Sequence, residues 1–345
     1  MKPFYWRGTT NFGDYMNEWM WPQILDGYLN EDDNIRLVGV GSLLKDSLNF
    51  VQGKKVIFGT GSGYGAIPNR DDFEDWLFYF VRGPRTAKLF NLPPEKSIID
   101  GAWMLSQIPQ YQTIPSKKGT SFIPHWTTSE VGNWQKVCKK AGFNYIDPLG
   151  ELENILKSIA SSELVITESL HGAILADYFR TPWVPVSISP EFLSFKWVDW
   201  FESIELDADI RKLPYSDFFE YIYNKSIPSK KDFSLGNEVL SSPIKESLEI
   251  SSHKPSFLYP YKTIIKSKGK QFRSSSLRNA QFFRNSFLFS RWNESHQDKV
   301  VAQLMKIKMG PSFISKDMIR KDRIDKLSGV IDKLKFDYDQ GVLFR

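Results

Sequence analysis

Two histidines stand where predicted strands end in polar turns, and imidazole is the side chain that most readily moves a proton near neutral pH. His171 follows an apolar run that ends at Ile166 and precedes a helical pattern from Ala173 onward. The amino end of such a helix offers unpaired N–H groups and positive partial charge to an anionic ligand. His125 ends the predicted strand 121–125 in the same half of the chain. These positions favour proton transfer beside an anion, and hydrogen-bonded core histidines are the alternative.

Arginine and aspartate side chains follow other predicted strands. Arg82 and Arg85 come directly after the strand 76–81, and a guanidinium group can hold a carboxylate or a phosphate through two hydrogen bonds. Pairing with a carboxylate at the surface is the alternative for each of them. Asp14 follows the first strand, in Asn11-Phe-Gly-Asp14, and precedes a helix. It is positioned either to cap that helix or to face a cleft as a base.

Two glycine-rich turns also follow predicted strands. One contains Gly41 and Ser42, and the other spans residues 59–65 and contains Gly61 and Ser62. A dinucleotide-binding turn requires G-x-G-x-x-G followed by a helix, whereas residues 67–71 have the composition of a loop. We therefore interpret both turns as sites of close backbone packing or of approach to a substrate. The chain has no Walker-type sequence, so a nucleotide site of the P-loop class is not predicted.

The composition is typical of a soluble globular protein, with 41% hydrophobic and 25% charged residues. A chain of 345 residues is long enough for two domains. The single cysteine, Cys138, excludes an intrachain disulfide and a thiolate metal site. The four histidines are too far apart in sequence to indicate a metal cluster. The sequence resembles no signal peptide and contains no apolar stretch of about 20 residues, so a cytoplasmic protein is predicted.

Charge is unevenly distributed along the chain. Residues 253–345 contain 20 Lys and Arg against 8 Asp and Glu, although the net charge of the whole chain is only +5. Residues 254–291 contain basic residues interleaved with phenylalanines and no acidic residue. Such a segment is suited to an anionic membrane surface or to RNA. A solvated helical face, or a tail without a partner, is the alternative.

Strand, turn and helix patterns alternate along residues 4–206, which predicts parallel sheets covered by helices on both faces. Residues 109–119 have the composition of a linker between two such series. The sequence therefore predicts an α/β fold with two Rossmann-like, doubly wound domains, residues 1–115 and 116–206. A helical and irregular basic region, residues 207–345, is expected to follow them.

Several short motifs occur together in the order that is seen in one family. They are Asn11-Phe-Gly-Asp14 with Asn17, Gly41-Ser42, Val81-Arg-Gly-Pro84 with Thr86, Pro124-His125, Glu168-Ser-Leu-His-Gly172 and Phe195-Lys-Trp-Val-Asp-Trp200. In order and spacing these motifs resemble the polysaccharide pyruvyl transferases. The resemblance is closest to the ketal pyruvate transferases of bacterial exopolysaccharides such as xanthan and succinoglycan, and it covers roughly residues 4–205.

The resemblance implies that a pyruvyl group passes from phosphoenolpyruvate to two hydroxyls of a sugar in a bacterial surface or exopolysaccharide repeat unit. The product is a cyclic pyruvate ketal, and phosphate is released. The resemblance also implies two Rossmann-type domains arranged as in the GT-B glycosyltransferases, with no metal and no cofactor. His171 is then the general acid or a phosphate contact, and Asp14 or His125 is the base.

The resemblance also divides the remaining site residues between the two substrates. The predicted contacts of the donor, phosphoenolpyruvate, are Arg82, Arg85, Ser169, Leu170, Gly172 and Lys196. The predicted residues on the acceptor side are Asn11, Asn17, Gly41, Ser42, Gly61 and Ser62.

One residue departs from the pattern of the family. Many members have Arg-Leu-His where this chain has Ser169-Leu170-His171, and in those members the arginine is thought to bind phosphoenolpyruvate beside the histidine. Ser169 cannot supply that positive charge. Another cation is expected to replace it, and the candidates are Arg82, Arg85 and Lys196.

Two other classes of function stay open. A GT-B glycosyltransferase would bind a nucleotide-sugar and place an acidic residue such as Glu168 on the ribose. A non-catalytic scaffold that binds carbohydrate or a membrane would account for the 15% aromatic residues and for the basic tail.

The family also implies the partners and the location. The acceptor is expected to be a lipid-linked oligosaccharide or polysaccharide at the inner face of the plasma membrane. Residues 254–291 are then suited to hold a cytoplasmic enzyme near anionic lipid. Phosphoenolpyruvate and this acceptor are the expected substrates, and no nucleic acid is expected to bind.

Overall fold

Two parallel sheets form the frame of the protein in a computed structural model, which describes residues 1–5, 7, 11–63, 65–68, 73, 75–113, 115–225, 244–245 and 287–344. The first sheet consists of β1 (Lys2–Phe4), β2 (Ile35–Val38), β3 (Lys54–Phe58) and β4 (Trp76–Phe80). Helix α1 (Phe12–Ile24) follows β1, and α2 (Pro84–Leu89) follows β4. Short 3-10 helices span Asp46–Phe50, Pro94–Lys96, Gly101–Gln107 and Pro109–Tyr111.

The strands of the first sheet lie in the order β1-β2-β3-β4, and all three pairs are parallel. Right-handed connections that always advance in one direction place their crossovers on one face of the sheet. The described strands therefore lack the reversal of a doubly wound sheet, whereas the predicted parallel pairing is confirmed.

The second sheet is doubly wound, as predicted. Its strands are β5 (Thr120–Ile123), β6 (Asn144–Tyr145), β7 (Leu164–Thr167), β8 (Trp183–Ser187), β9 (Ile210–Lys212) and β10 (Ile244–Lys245). The order is β10-β9-β8-β7-β5-β6, so the direction of winding reverses between β5 and β7. Ligands of open parallel sheets bind at the carboxyl ends of the strands where the order reverses.

Six helices connect or follow the described strands of this sheet, and their sequences show why they form. They are α3 (Trp126–Val131), α4 (Trp134–Ala141), α5 (Leu152–Ala160), α6 (Leu170–Tyr178), α7 (Ser194–Ser203) and α8 (Phe218–Lys225). In α5 the apolar residues recur at helical spacing and are buried, as at Ile155 and Ile159. Gly142 ends α4 in the left-handed conformation, with a φ of 69°, which glycine adopts without a steric penalty.

The carboxyl-terminal region, predicted to be helical and irregular from residue 207 onward, is helical only in part. Strands β9 and β10 lie within it and extend the second sheet beyond the predicted domain end at residue 206. Helix α9 (Phe287–Met309) packs on the second sheet, where Val300 and Leu304 are buried in one cluster with Phe122. Helix α10 (Asp317–Asp339) is followed by a 3-10 turn, Val342–Phe344, and packs toward the first sheet. The Tyr79 hydroxyl of β4 donates to the Asp337 carboxylate at 2.6 Å. Most of the basic segment 254–291 lies outside the described residues.

One apolar core joins the two sheets. It contains Met16 and Phe58 from the first half, Leu175 and Trp183 from the second, and Leu327 from α10. Among the described helices, none is both long enough and apolar enough to cross a bilayer.

Candidate functional site

A cavity of about 700 Å³ lies between the two halves, at the reversal point of the second sheet. Two of its walls come from the turns that follow β1 and β2, and the others come from those that follow β5, β7 and β8. The predicted site residues that line it are Asn11, Asp14, Gly41, Ser42, His125, Ser169, Leu170, His171 and Lys196. The cavity therefore brings together residues that the sequence separates by more than 180 positions.

The turn between β7 and α6 places His171 at this cavity. Ser169 caps α6, because its side-chain oxygen accepts a hydrogen bond from the backbone N–H of Gly172 at 3.4 Å. A Cβ atom on Gly172 would lie 2.5 Å from Oγ1 of Thr167. Gly172 therefore lets the helix pack closely on the end of β7 and does not itself line the cavity.

Electrostatics keep the His171 ring neutral. Burial, together with the positive charges of Lys196 and Arg82, lowers the pKa of His171 to about 3. The ring is 12% exposed. In the absence of an anion the residue is therefore a neutral imidazole at physiological pH.

Gly13, in the first turn of α1, makes room for this ring, and substitution by alanine is expected to destabilise the protein by roughly 1–3 kcal/mol through overpacking. A Cβ atom at residue 13 would lie 2.0 Å from Nδ1 of His171. Alanine is the better helix former by about 1 kcal/mol, so helix propensity alone predicts the opposite sign. Urea unfolding measures the difference, with Gly329→Ala as the control.

The control site is suitable because Gly329 is an exposed residue of α10, and a Cβ atom added there would approach no neighbour within 4 Å in the described part of the chain. We expect Gly329→Ala to leave the free energy of unfolding unchanged or to raise it by up to about 1 kcal/mol. A Gly13→Ala variant at least as stable as the wild type would contradict the close packing of His171.

Asp14 and its neighbours form the opposite wall. The side-chain amide of Asn11 donates to Oδ2 of Asp14 at 3.1 Å. Burial raises the pKa of Asp14, whereas the hydrogen bond from Asn11 and the positive charge of Lys196 oppose that change. A carboxylate with a raised pKa at a cavity wall is suited to accept a proton from a bound hydroxyl.

Arg82 does not line the cavity. Its guanidinium group is 1% exposed and donates from Nε to Oδ2 of Asp199 at 3.0 Å and from Nη1 to the Ser42 hydroxyl at 2.9 Å. Asp199 also accepts hydrogen bonds from the backbone N–H and the hydroxyl of Thr86. The Arg-Gly-Pro turn after β4 is thus bound to α7 by a buried ion pair. Arg82 lies behind Ser42, a residue of the cavity wall, and donates a hydrogen bond to it.

Arg85 does not line the cavity either. Its guanidinium group donates to Oε1 of Glu202 at 2.8 and 2.9 Å in a partly exposed ion pair. Of the three candidates for the cation that replaces the missing arginine, Lys196 is the one at the cavity. It lies on α7, three residues before Asp199.

Three predicted acceptor residues, Asn17, Gly61 and Ser62, support the walls of the cavity and do not line it. The Asn17 side chain accepts from the backbone N–H of Val40 at 2.8 Å and donates to its carbonyl at 3.0 Å, which fixes the turn before Gly41. A Cβ atom on Gly61 would lie 2.4 Å from Cζ of Arg82. The carbonyl oxygen of Ser62 accepts a hydrogen bond from the same guanidinium group.

Glu168 is occupied by the backbone. Its carboxylate accepts hydrogen bonds from the N–H groups of His125, Ile188 and Ser189 at 3.1, 2.9 and 2.7 Å. It therefore connects the ends of three neighbouring strands, β5, β7 and β8, and holds His125 at the cavity. These contacts leave it poorly placed to bind the ribose of a nucleotide.

Several residues at or beside the cavity are not among those predicted from the sequence. Asp100 lies behind His171, with 3.9 Å between its Oδ1 and the Nε2 of the ring. It ends an apolar run, Ile98-Ile99, just as the predicted residue His125 does, so the same pattern could have found it. The other missed lining residues that carry charge or an aromatic ring are Phe4, Lys45, Trp126, Glu130, Glu191 and Tyr223.

Within the part of the chain that the structure describes, no group of three or more His, Cys, Asp and Glu side chains is arranged to hold a metal ion. The polar groups at the cavity are suited instead to an organic anion, since an ammonium group, a helix amino end and hydroxyls meet there.

The chain is similar to known proteins over the part that forms most of the cavity. The sequence model of the polysaccharide pyruvyl transferases matches residues 9–190, which include the residues of the cavity from α1 to β8. The chain is 42% identical over 217 residues to the succinoglycan biosynthesis protein ExoV of Rhizobium meliloti (strain 1021). That match covers 63% of this chain and 69% of the relative. No solved structure matches the chain significantly. The protein is therefore an enzyme that belongs to the polysaccharide pyruvyl transferase family.

Proposed function

We propose that the enzyme transfers the pyruvyl group of phosphoenolpyruvate to two hydroxyls of an exopolysaccharide sugar, and that the reaction takes place in the cavity at His171. The observation that carries this proposal is the position of His171 in the first turn of α6, in a cavity that it shares with Lys196 and Asp14. Phosphoenolpyruvate has a carboxylate and a phosphate on adjacent atoms, so it requires cations and N–H donors on the same side.

The proposed reaction needs an acid, a base and charge stabilisation. A proton is added to the methylene carbon, C2 acquires oxocarbenium character, and the first sugar hydroxyl bonds to C2. The bond from C2 to the bridging oxygen then breaks, phosphate leaves, and the second hydroxyl closes the ketal. One of the two hydroxyl protons restores the proton that the general acid gave to carbon, and the other leaves with phosphate.

His171 is suited to supply the proton only after the donor has bound. In the empty cavity, the lowering of its pKa from 6.5 to about 3 makes the imidazolium roughly 5 kcal/mol less favourable than in water. A bound dianion offsets the repulsion from Lys196 and Arg82, which are the two charges that oppose protonation. Protonation is thereby coupled to donor binding, and Asp14 or His125 is the proposed base for the hydroxyl.

The relative in Rhizobium meliloti suggests a succinoglycan-like acceptor, and we propose that the acceptor is a lipid-linked repeat unit. A cavity of about 700 Å³ leaves room for a sugar beside the small donor, and the aromatic residues Trp126 and Tyr223 line it. We further propose a GT-B-like arrangement of the two halves.

We also propose that residues 254–291 hold the enzyme at anionic lipid. The enzyme should then pellet with liposomes that contain acidic lipid, and salt should weaken this binding.

A nucleotide-sugar glycosyltransferase is the main rival, and the engagement of Glu168 with three backbone N–H groups argues against it. Thermal unfolding with phosphoenolpyruvate or with UDP-glucose distinguishes the two enzyme classes, because a ligand that binds the folded protein raises its melting temperature. We expect phosphoenolpyruvate to raise it. A rise with the nucleotide-sugar alone would overturn the proposal.

Lys196→Gln is expected to weaken the binding of phosphoenolpyruvate by roughly tenfold to hundredfold, since charged hydrogen bonds contribute about 1.5–3 kcal/mol. The control is Arg85→Gln, because Arg85 pairs with Glu202 outside the cavity. Calorimetric titration of each variant with phosphoenolpyruvate gives the dissociation constants. If Arg85→Gln bound phosphoenolpyruvate more weakly than Lys196→Gln does, the proposal that Lys196 is the cation that binds the donor would be wrong.

A further inference from the structure

We propose that Asp100 is a positioning residue for His171, which fixes the tautomer of the neutral ring and becomes the counter-ion of the protonated ring. This inference rests on the proposed function for its catalytic meaning, but its geometry is independent of the substrate. The two residues are 71 positions apart in sequence, and neither the order of strands nor any local motif indicates the contact.

The contact is buried and incomplete. The Asp100 side chain is fully buried, and its Oδ1 lies 3.9 Å from Nε2 of His171. Nε2 of His171 and Oδ2 of Asp100 are both buried, and neither has a hydrogen-bond partner among the described residues. Two unsatisfied polar atoms on facing side chains are unusual in a native interior and point to a bond that forms in another state of the site.

Closing the contact requires a movement of only about 1 Å, since a charged N–H···O bond is about 2.7–2.9 Å long. A proton on Nε2 would then point to Asp100, and the lone pair of the neutral ring would lie on Nδ1. Nδ1 is the atom that faces Gly13, at the start of α1 and next to Asp14. Asp100 would thereby leave Nδ1, the nitrogen that faces α1, as the one that exchanges a proton.

Burial and the surrounding charges explain why the ring is not protonated in the empty site. Lys196 on α7 and Arg82 after β4 both disfavour a positive ring, whereas Arg82 favours and Asp199 disfavours a negative Asp100. Asp14 on α1 lines the same cavity. Burial raises the pKa of Asp100 to about 6, so its carboxyl is largely ionised at neutral pH. An anion beside Lys196 would remove part of the repulsion and let the imidazolium form against Asp100.

Capping alone does not account for an aspartate here. Oδ1 of Asp100 accepts from the backbone N–H of Ala102 at 2.9 Å and so caps the 3-10 helix Gly101–Gln107. Asparagine and serine are equally good caps. Capping therefore explains one oxygen but not the negative charge, which acts on Arg82 and on the His171 ring 3.9 Å away.

The test is Asp100→Asn, which keeps the capping oxygen and the shape but replaces the charge with an amide. We expect turnover with phosphoenolpyruvate to fall by about 10²–10⁴-fold, with the dissociation constant of phosphoenolpyruvate changed by less than about fivefold. In ¹⁵N-histidine NMR spectra, the shifts of the His171 nitrogens should change from the Nε2-protonated toward the Nδ1-protonated pattern. His171→Gln identifies the signals among the four histidines.

Asp147→Asn is the matched control, because Asp147 caps its own turn by accepting from the N–H of Leu149 and lies at the surface. It should leave both readouts unchanged. If Asp100→Asn does not fold, Asp100→Ser keeps a capping oxygen without the charge and is tested in the same way. An unchanged His171 tautomer in the folded variant would overturn the proposal. Wild-type protein that does not turn over phosphoenolpyruvate would refute the proposed function, while the tautomer readout would still decide the role of Asp100.

Discussion

Replacing His171 with glutamine is expected to lower turnover with phosphoenolpyruvate by about 10³-fold, within the range typical of a lost general acid or base. The fold should survive, because the ring nitrogen Nε2 has no hydrogen-bond partner to lose within the described part of the chain. Phosphate release, followed with a coupled assay, measures the effect. His125→Gln is the comparison, and near-normal turnover in His171→Gln together with a collapse in His125→Gln would transfer the acid role to His125.

The same variant also gives a pH readout. Because the folded state lowers the pKa of His171 from 6.5 to about 3, the residue contributes stability that is fully present above about pH 6.5. That contribution is lost as the pH falls toward 3, since the unfolded chain then binds a proton that the folded chain excludes. Urea unfolding of His171→Gln between pH 7 and pH 4 should therefore depend less on pH than that of the wild type.

Asp199→Ala is expected to destabilise the protein by about 3–5 kcal/mol, because it leaves the buried guanidinium of Arg82 without its counter-ion. Arg82 and Asp199 are 1% and 0% exposed, and Thr86 also donates twice to the same carboxylate. The pair connects the turn after β4 to α7, which carries Lys196 to the cavity. A large loss of stability is therefore expected together with weaker binding of phosphoenolpyruvate.

The control for this variant is Glu202→Ala, which removes the partner of Arg85 one turn further along α7. That pair is partly exposed and should contribute no more than about 1 kcal/mol. The double variant Arg82→Met with Asp199→Leu should be more stable than Asp199→Ala alone, since no buried charge is then left unpaired. Urea unfolding that places Asp199→Ala within about 1 kcal/mol of the wild type would contradict the structural role of the pair.

His171, His125 and Asp14 could be found from sequence because each follows a predicted strand, and parallel strands end at one edge of a sheet. The same pattern cannot tell a residue that lines the cavity from one that supports it. Arg82 and Arg85 follow the same strand, yet their partners Asp199 and Glu202 lie 117 residues away. Which arginine is buried depends on that distant helix.

The order of the strands was likewise beyond local patterns. Alternation of strands and helices predicted parallel pairing in both halves, but a reversal is found among the described strands only between β5 and β7. The position of the Ser-Leu-His turn therefore depends on the neighbouring strand β5 and on Glu168, which holds the ends of β5 and β8 together.

The most direct test of pyruvyl transfer uses lipid-linked saccharides from a source strain that lacks this gene, in which the natural acceptor should accumulate. Incubated with the enzyme and phosphoenolpyruvate, they should gain the mass of one pyruvate less one water, with an equal amount of phosphate released. His171→Gln should produce neither change. Saccharides that stay unmodified with phosphoenolpyruvate but gain a hexose from a nucleotide-sugar would contradict the account.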